Sequence, residues 1–339
     1  MARPSARMIR EITAILVSWN DAEEALEAAA SLAAARARIP EGGVRASLVA
    51  VDNGGGRLSP SELERAFPGA RLVVNDVNRG FGPAANQAAA AASGDVLFFV
   101  NPDARAEGEP FSPLARAFAE DPRVAAIAPR LVDMDGGRAT PGPLRLAPPG
   151  QEDQPTFQLR RLPRLGSDAT ELLLVDHAFP NHRGRRRSRY ADEDREARFA
   201  VEQAAAAALA VRRDAFVRVG GFDERYVPAW FEDVDLCARL AAEGTILYLP
   251  AARVRHRGGS SASHLGYRRF LPLFYRNALR YRREHYGLAA RAAYRGLLAA
   301  GMTLRLAALP FRRDVPRARG EAAKAYLAVL GVSLFGHAR

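Results

Sequence analysis

Cysteine is almost absent from this chain of 339 residues, with Cys237 standing alone. An intramolecular disulfide is therefore excluded, and so is a CxxC metal site. The chain is compatible with a reducing compartment. Lysine is equally scarce: Lys324 is its single instance, so arginine carries nearly all the positive charge. No run of about 18 apolar residues occurs, which leaves no clear transmembrane helix. The apolar stretch Ile12 to Trp19 is too short for a signal h-region with a cleavage site, and it runs straight into Asn20-Asp21. It reads as a first strand. Internal repeats are missing too.

What is present is a 48% hydrophobic composition, enough for one large α/β domain with an appendage or for two modest domains. The net charge of +11 is unevenly placed. From Leu265 to Arg339 there are 15 Lys and Arg against 3 Asp and Glu, while the other 264 residues hold 34 against 35. The body is thus nearly neutral and the tail strongly basic. With no recognised motif in that tail, a nucleic-acid partner is not expected.

Short runs rich in Val, Ile, Leu or Phe mark strands at Ile12–Ser18, Ser47–Asn53, Ala70–Val74 and Asp95–Asn101. Helical patterns lie between them: Asp21–Arg38, a short helix opened by Ser59-Pro60, and Pro83–Ser93 with Gly94 as its stop. This alternation predicts βαβ units and a mostly parallel sheet flanked by helices. Ser112–Glu120 continues as helix and Val124–Pro129 as strand. The periodicity then breaks from about 133 to 198, a stretch expected to be irregular and containing the basic run His182–Arg189. Helices at Arg213–Val219 and Val234–Glu243 and extended segments at Ile246–Leu249 and Ala252–His256 follow. The tail reads as three helices, Tyr267–His285, Ala289–Leu309 and Glu321–Leu334.

Five constellations bear chemistry. Asp52 ends the second strand, where a carboxylate accepts hydrogen bonds from a base or ribose; a turn or cap role is the alternative. Asn78 to Asn86 places Gly80 and Gly82 before a helix N-terminus, where backbone can approach an anion. A third glycine is lacking and the segment follows the third strand, which argues against a nicotinamide-binding domain. Asn101-Pro102-Asp103 follows the apolar run Asp95–Val100, delivering Asp103 to the rim of a parallel sheet as a handle for a divalent cation carrying a diphosphate. Glu232, Asp233 and Asp235 open a helix beside Trp230 and Phe231. Capping explains one acid comfortably. Three acids beside an aromatic wall also suit sugar binding and a carboxylate of raised basicity. Last, His256 sits past an extended segment and before a Gly-Gly-Ser loop, as either a ligand or a structural histidine.

Taken in order, these blocks resemble bacterial family 2 glycosyltransferases, particularly the rhamnosyltransferase-like branch. The pieces are Val17-Ser18-Trp19-Asn20, Val51-Asp52-Asn53, Asn78 to Asn86, Asn101-Pro102-Asp103, Gly220 to Glu224, Phe231 to Leu236 and His256 to Ser260. The resemblance implies a GT-A fold over 10–264, carrying the irregular insertion at about 133–198, with 265–339 as a basic amphipathic helical tail. It implies an inverting, metal-dependent enzyme that moves a sugar, rhamnose being the branch's example, from a nucleoside-diphosphate donor to a saccharide or lipid-linked acceptor in cell-surface polysaccharide synthesis. The nucleotide would be met by Ser18, Asn20, Asp52, Asn78, Gly80 and Asn86. Mg2+ or Mn2+ would sit on Asp103 and His256. Asp233, paired with Glu232, would be the catalytic base, and Trp230, Phe231 and Gln203 would face the acceptor. The family's Trp-x-x-Gly-Ala is replaced here by Gln203 to Ala207, which bears on the acceptor. A non-catalytic nucleotide-sugar-binding homologue and a nucleotidyltransferase are the alternatives. A nucleotidyltransferase would carry a Gly-rich basic signature near its first strand, and Val17 to Asn20 offers none. The aromatic and arginine pattern of Tyr267–His285 fits a helix resting on anionic lipid, which places the chain in the cytoplasm, peripheral on the inner face of the membrane.

Overall fold

In the computed structural model, which describes residues 8–134, 158–257, 267–311 and 319–335, the early apolar runs form four parallel strands. They are β1 (Glu11–Ser18), β2 (Arg45–Asn53), β3 (Arg71–Asn75) and β4 (Val96–Val100). The crossovers are α1 (Ala22–Arg36), α2 (Pro60–Ala66) and α3 (Phe81–Ala91). The chain then continues through β5 (Ala104–Glu107), α4 (Phe111–Glu120), β6 (Val124–Asp133), β7 (Leu159–Arg160), α5 (Leu165–Leu172), α6 (Val175–Ala178) and α7 (Arg183–Ser188). After these come β8 (Phe199–Val201), β9 (Gln203–Ala204), β10 (Ala208–Arg212), α8 (Arg213–Arg218), α9 (Glu232–Leu240) and β11 (Thr245–His256). Three helices close it: α10 (Tyr267–His285), α11 (Leu288–Ala308) and α12 (Arg319–Phe335).

Two compact units result. The first holds, of the described residues, 8–134, 158–161 and 192–257. Its nine-stranded sheet runs β3-β2-β1-β4-β10-β6-β11-β5, with β8 also on β11. The chain winds outward from β1 to β3, then returns to the other side of β1 as β4. That reversal opens a crevice at the carboxyl ends of β1 and β4, where open α/β sheets take their ligands. β10 and β5 run antiparallel to their neighbours, so the sheet is mixed, although mostly parallel.

The sheet centre is dry. All five residues of β4 are buried, as a strand covered on both faces requires. Phe99 meets Phe216 at a tilt and Phe222 edge-on, and Phe98 meets Phe111 edge-on. α1 buries Ala25, Ala28, Ala29, Leu32 and Ala35, the i, i+3, i+4 stripe that its alanine-rich sequence offers. Gly94 does not stop α3, which ends at Ala91. It lies instead where a Cβ would come 2.7 Å from the Thr13 backbone nitrogen, and its N–H bonds Thr13 Oγ1. Glycine is needed there for close approach to β1.

The second unit holds, of the described residues, 162–191, 267–311 and 319–335. The stretch expected to be irregular therefore contains three helices, and they group with the tail helices. A Cβ on Gly301 would lie 2.6 Å from Leu172 O, so α11 packs against the end of α5 at backbone distance. Arg305 donates to the carbonyls of Leu172, Gly301 and Glu171. The Arg282 guanidinium is buried, pairs with the buried Asp168 carboxylate, and lies 3.8 Å from the Tyr294 ring centre. The basic run His182–Arg189 forms the short α7, capped by His182 Nδ1 accepting from Gly184 N.

Phe270 and Tyr281 belong to the aromatic and arginine pattern of α10. They are buried at 0% and 2% exposure, with Leu271 and Tyr275 beside them, and α10 packs on α12. This part of the aromatic stripe is a core-facing stripe, and Asn277 and Arg282 are buried along with it.

Candidate active site

The parallel register aligns the crevice. Ser18 pairs with Asp52, and Leu16 with Val100, so β1, β2 and β4 end at one rim. Asp52 is 3% exposed, and its two oxygens accept four backbone N–H groups, those of Gly55, Gly56, Arg57 and Leu58, at 2.8–3.2 Å. The carboxylate is spent on shaping the β2–α2 loop. Ser18 is buried and its hydroxyl donates to Asp21 O at 3.1 Å, while Asn20 is exposed with φ 59°.

A network of amides holds the next loop. Asn53 Nδ2 donates to Asn78 Oδ1 and Gly80 O, Gly80 N donates to Asn78 Oδ1, and Asn75 bridges Asn53 to Gln87. Asn75 and Gln87 were not singled out from sequence, since no local pattern reveals a network across two strands and a helix. Gly80 has φ 91°, and a Cβ there would meet Val227 Cγ1 at 3.0 Å. Asn86, in α3, is held by the Gly220–Glu224 segment. Its amide exchanges two 2.9 Å bonds with the backbone of Phe222 and reaches Glu224 Oε1 at 3.1 Å. It clamps α3 to the Gly220–Glu224 segment.

Asp103 lies in the turn between β4 and β5, and His256 ends β11, which pairs with β5. The two side chains are 4% and 2% exposed, and Asp103 Oδ1 is 3.3 Å from His256 Nε2. Sequence reasoning placed them together, and the sheet does bring them together. One carboxylate oxygen and one imidazole nitrogen facing each other form a donor pair suited to a hard or borderline divalent cation, with waters or phosphates completing the shell. Among the described residues no group of three or more His, Cys, Asp and Glu gathers in this way.

α9 begins at Glu232, preceded by Trp230 and Phe231 at φ 74° and 72°. Two successive non-glycine residues in the left-handed region are costly, and such strain gathers at sites that need it. The three acids separate in role. Asp235 is buried and bonds Arg239, whose Nη1 also donates to Val219 O and Gly221 O. It is structural. Glu232 is 7% exposed, and its Oε2 has no hydrogen-bond partner. Burial, then the charge of Asp233, pushes its carboxyl well above the ordinary value of 4.5. Asp233 is half-buried and accepts from Val234 N at 2.8 Å and Ala206 N at 3.3 Å. Burial raises its pKa as well, opposed by those two N–H groups and by the charge of Arg160. The hydrogen bonds favour ionisation at Asp233 over Glu232.

One segment ties these groups together. Gln203, in β9, pairs with Arg160 of β7, Ala206 N donates to Asp233, and Ala207 O accepts from Asn101 N at 3.0 Å. Ala205, Ala206 and Ala207 are all at most 7% exposed. Small side chains let both partners approach the backbone. Cys237, beneath Ala204 O, is fully buried and pushed up to about 12, an inert thiol.

Two family models match this chain. Glycosyl transferase family 2 covers residues 13–190, and Glycosyltransferase like family 2 covers residues 187–296. The chain belongs to glycosyltransferase family 2. Over 239 residues it is 30% identical to N-acetylglucosaminyl-diphospho-decaprenol L-rhamnosyltransferase of Mycobacterium tuberculosis, spanning 65% of this chain and 70% of the relative. The mannosyltransferase PcManGT from Pyrobaculum calidifontis, solved with GDP-Man and Mn2+, superimposes with a TM-score of 0.52 at 17% identity, covering 98% of this chain and 89% of that one. GalNAc-T7, solved with UDP, GalNAc and Mn2+, gives 0.50 at 15% identity, covering 80% and 48%. These likenesses show the GT-A fold. This glycosyltransferase has, among its described residues, no helix long and apolar enough to cross a membrane.

Proposed function

We propose that this glycosyltransferase moves a sugar from a nucleoside-diphosphate donor to a lipid-linked saccharide, with inversion at the anomeric carbon, in cell-surface polysaccharide synthesis. The observation that carries this reading is the Gln203–Ala207 segment, which holds Asp233 through Ala206 and Asn101-Pro102-Asp103 through Ala207. The rhamnosyltransferase likeness supports rhamnose as the sugar and a diphosphate-linked acceptor.

The donor diphosphate enters at the crevice between β1 and β4. The loops shaped by Asp52 and by Asn53 with Asn78 meet the nucleotide, alongside Ser18, Asn20 and Gly80. Asp103 and His256 would hold Mg2+ or Mn2+, which supplies positive charge against the diphosphate. Asp233 takes the proton from an acceptor hydroxyl. The hydroxyl oxygen bonds the anomeric carbon as the bond to the diphosphate breaks, and the proton stays on the Asp233 carboxyl. Glu232, buried beside Asp233 and with its carboxyl pushed well above the ordinary value, is the weaker candidate for the base. Trp230 and Phe231 form an apolar wall for the acceptor sugar.

The metal assignment has a direct check. Nucleotide sugars with Mn2+ should raise the melting temperature of the native protein, because ligand binding stabilises by mass action. A chelator should remove the gain, and Asp103→Ala should never show it. Donor stabilisation that persists in Asp103→Ala, or with chelator, would count against the role.

Peripheral membrane association is proposed for the basic tail. With Phe270 and Tyr281 used internally, its support is charge: Arg268, Arg269 and Arg283 of α10 are exposed. Each basic residue near an anionic surface contributes about 1 kcal/mol, and salt screens it. The protein should sediment with anionic vesicles at low salt and be released at high salt. Equal sedimentation with neutral vesicles would refute an electrostatic attachment.

A further inference from the structure

Arg105 was not among the residues that the sequence singled out. Its guanidinium folds back on the turn that carries Asp103. Nη1 donates to Pro102 O at 2.5 Å and to Ala104 O at 3.0 Å, the carbonyls of the residues on either side of Asp103. Nη2 meets Glu24 Oε2 at 2.6 Å and Glu27 Oε2 at 2.5 Å. The other oxygen of Glu24, Oε1, takes Nη1 of Arg257, the residue after His256. Arg257 N in turn donates to Asp103 O at 3.1 Å. One carboxylate thus ties together the chain neighbours of Asp103 and of His256.

The sequence of α1 prepares this. Glu24, Glu27 and Ser31 fall at i, i+3 and i+7, on one face of the helix. That face meets β5, the last strand in the sheet order. An edge strand leaves N–H groups without a ladder partner, and Ser31 Oγ accepts one of them, Ala106 N, at 3.1 Å. The Glu24 and Arg105 side chains are 14% and 11% exposed, whereas Glu27 is 56% exposed. The tie through Glu24 is therefore the one held away from water.

A cation at Asp103 and His256 has two protein donors, so its affinity depends on how firmly their separation is held. Two arginines beside such a site would also repel it. Glu24 and Glu27 offset them, charge for charge.

We propose that Arg105 and Glu24 are positioning residues for the Asp103–His256 cation site. Arg105 sets the Asp103 turn, and Glu24 locks Arg105 and Arg257 to each other. This rests on the metal assignment above and adds to it two residues that touch no ligand.

Mn2+ affinity, read from the electron paramagnetic resonance of the unbound ion with each common nucleoside diphosphate present, tests it. The titration is run on the whole chain, well below the melting temperature. Glu24→Gln should weaken Mn2+ binding by about 10-fold and Arg105→Gln by about 100-fold, the range for partners that orient metal ligands. Arg105→Lys should recover part of the loss, keeping charge without the fork. Glu27→Gln makes the same charge change at an exposed position and should cost about 2-fold or less. Melting of the metal-free variants is followed alongside. Lowered melting temperatures with wild-type Mn2+ affinity in Glu24→Gln and Arg105→Gln would make the network structural and overturn the proposal. Equal losses in Glu24→Gln and Glu27→Gln would reduce the effect to net charge and overturn it as well. Wild-type Mn2+ binding that is absent, or that survives Asp103→Ala, would bring down the metal assignment and this proposal with it. Binding lost in Asp103→Ala but intact in Glu24→Gln and Arg105→Gln would remove the positioning role alone.

Discussion

Asp233→Asn should cut turnover by about 10²- to 10⁴-fold, the usual worth of general-base catalysis, while donor binding stays near the wild-type value. The asparagine is isosteric and keeps one acceptor oxygen, enough for either the Val234 N–H or the Ala206 N–H, which bond different oxygens of the carboxylate. What is lost is the basic site. The pH profile carries the same assignment. The Asp233 pKa lies above the ordinary 3.8 because burial disfavours the charge. Activity should therefore fall, one proton at a time, as pH drops through that raised value, and Asp233→Asn should lack this limb. Steady-state turnover across pH and donor titration by calorimetry measure both. Wild-type turnover in the variant would exclude Asp233 as the base.

Arg282→Met should destabilise the second unit by about 3–5 kcal/mol, since it strands a buried carboxylate. Asp168 and Arg282 are 7% and 4% exposed, and Arg282 also lies over the Tyr294 ring. Burial already holds the Asp168 carboxyl above the ordinary 3.8, with Arg282 opposing it. Without the guanidinium the carboxyl takes up a proton more readily. A carboxyl whose folded pKa is raised contributes stability at low pH and loses it as pH rises through the folded value. The Arg282→Met deficit should accordingly shrink toward acid pH. The pair Arg282→Met with Asp168→Leu should recover much of it at neutral pH, because replacing both partners removes the orphaned charge. Hydrogen exchange on α5 and α10 reports the unit directly. An unchanged exchange rate in Arg282→Met would mean that the pair contributes nothing to this unit.

Much of the sheet was legible because burial imposes simple patterns. A strand covered on both faces must be apolar throughout, and Val96–Val100 is. Seven short blocks in order identified the family for the same kind of reason, since each sits at a strand or helix end where only certain side chains serve. Asp103 and His256 could be named together because the family resemblance assigned both to the metal. The helices within 162–191 were harder. α6 and α7 are four and six residues long, too short for a 3.6-residue period to emerge. The burial of Phe270 and Tyr281 was not legible, because a stripe of aromatics among arginines looks alike whether it meets lipid or another helix. What decides is the neighbour, here α12, supplied by a segment some fifty residues further on.

Local spacing by itself determined the alternating strands and helices, the neutral body and basic tail, and the acids at the start of α9. Those follow from periodicity, capping and composition, which act within a few residues. Tertiary structure alone decided that Asn86 clamps α3 to the Gly220–Glu224 segment, that Arg239 reaches the carbonyls of Val219 and Gly221, and that the Ala206 N–H bonds Asp233. Each of these depends on which backbone N–H, carbonyl or charge arrives from a distant strand or helix, and hydrogen bonding and Coulomb forces reward whatever partner the fold delivers.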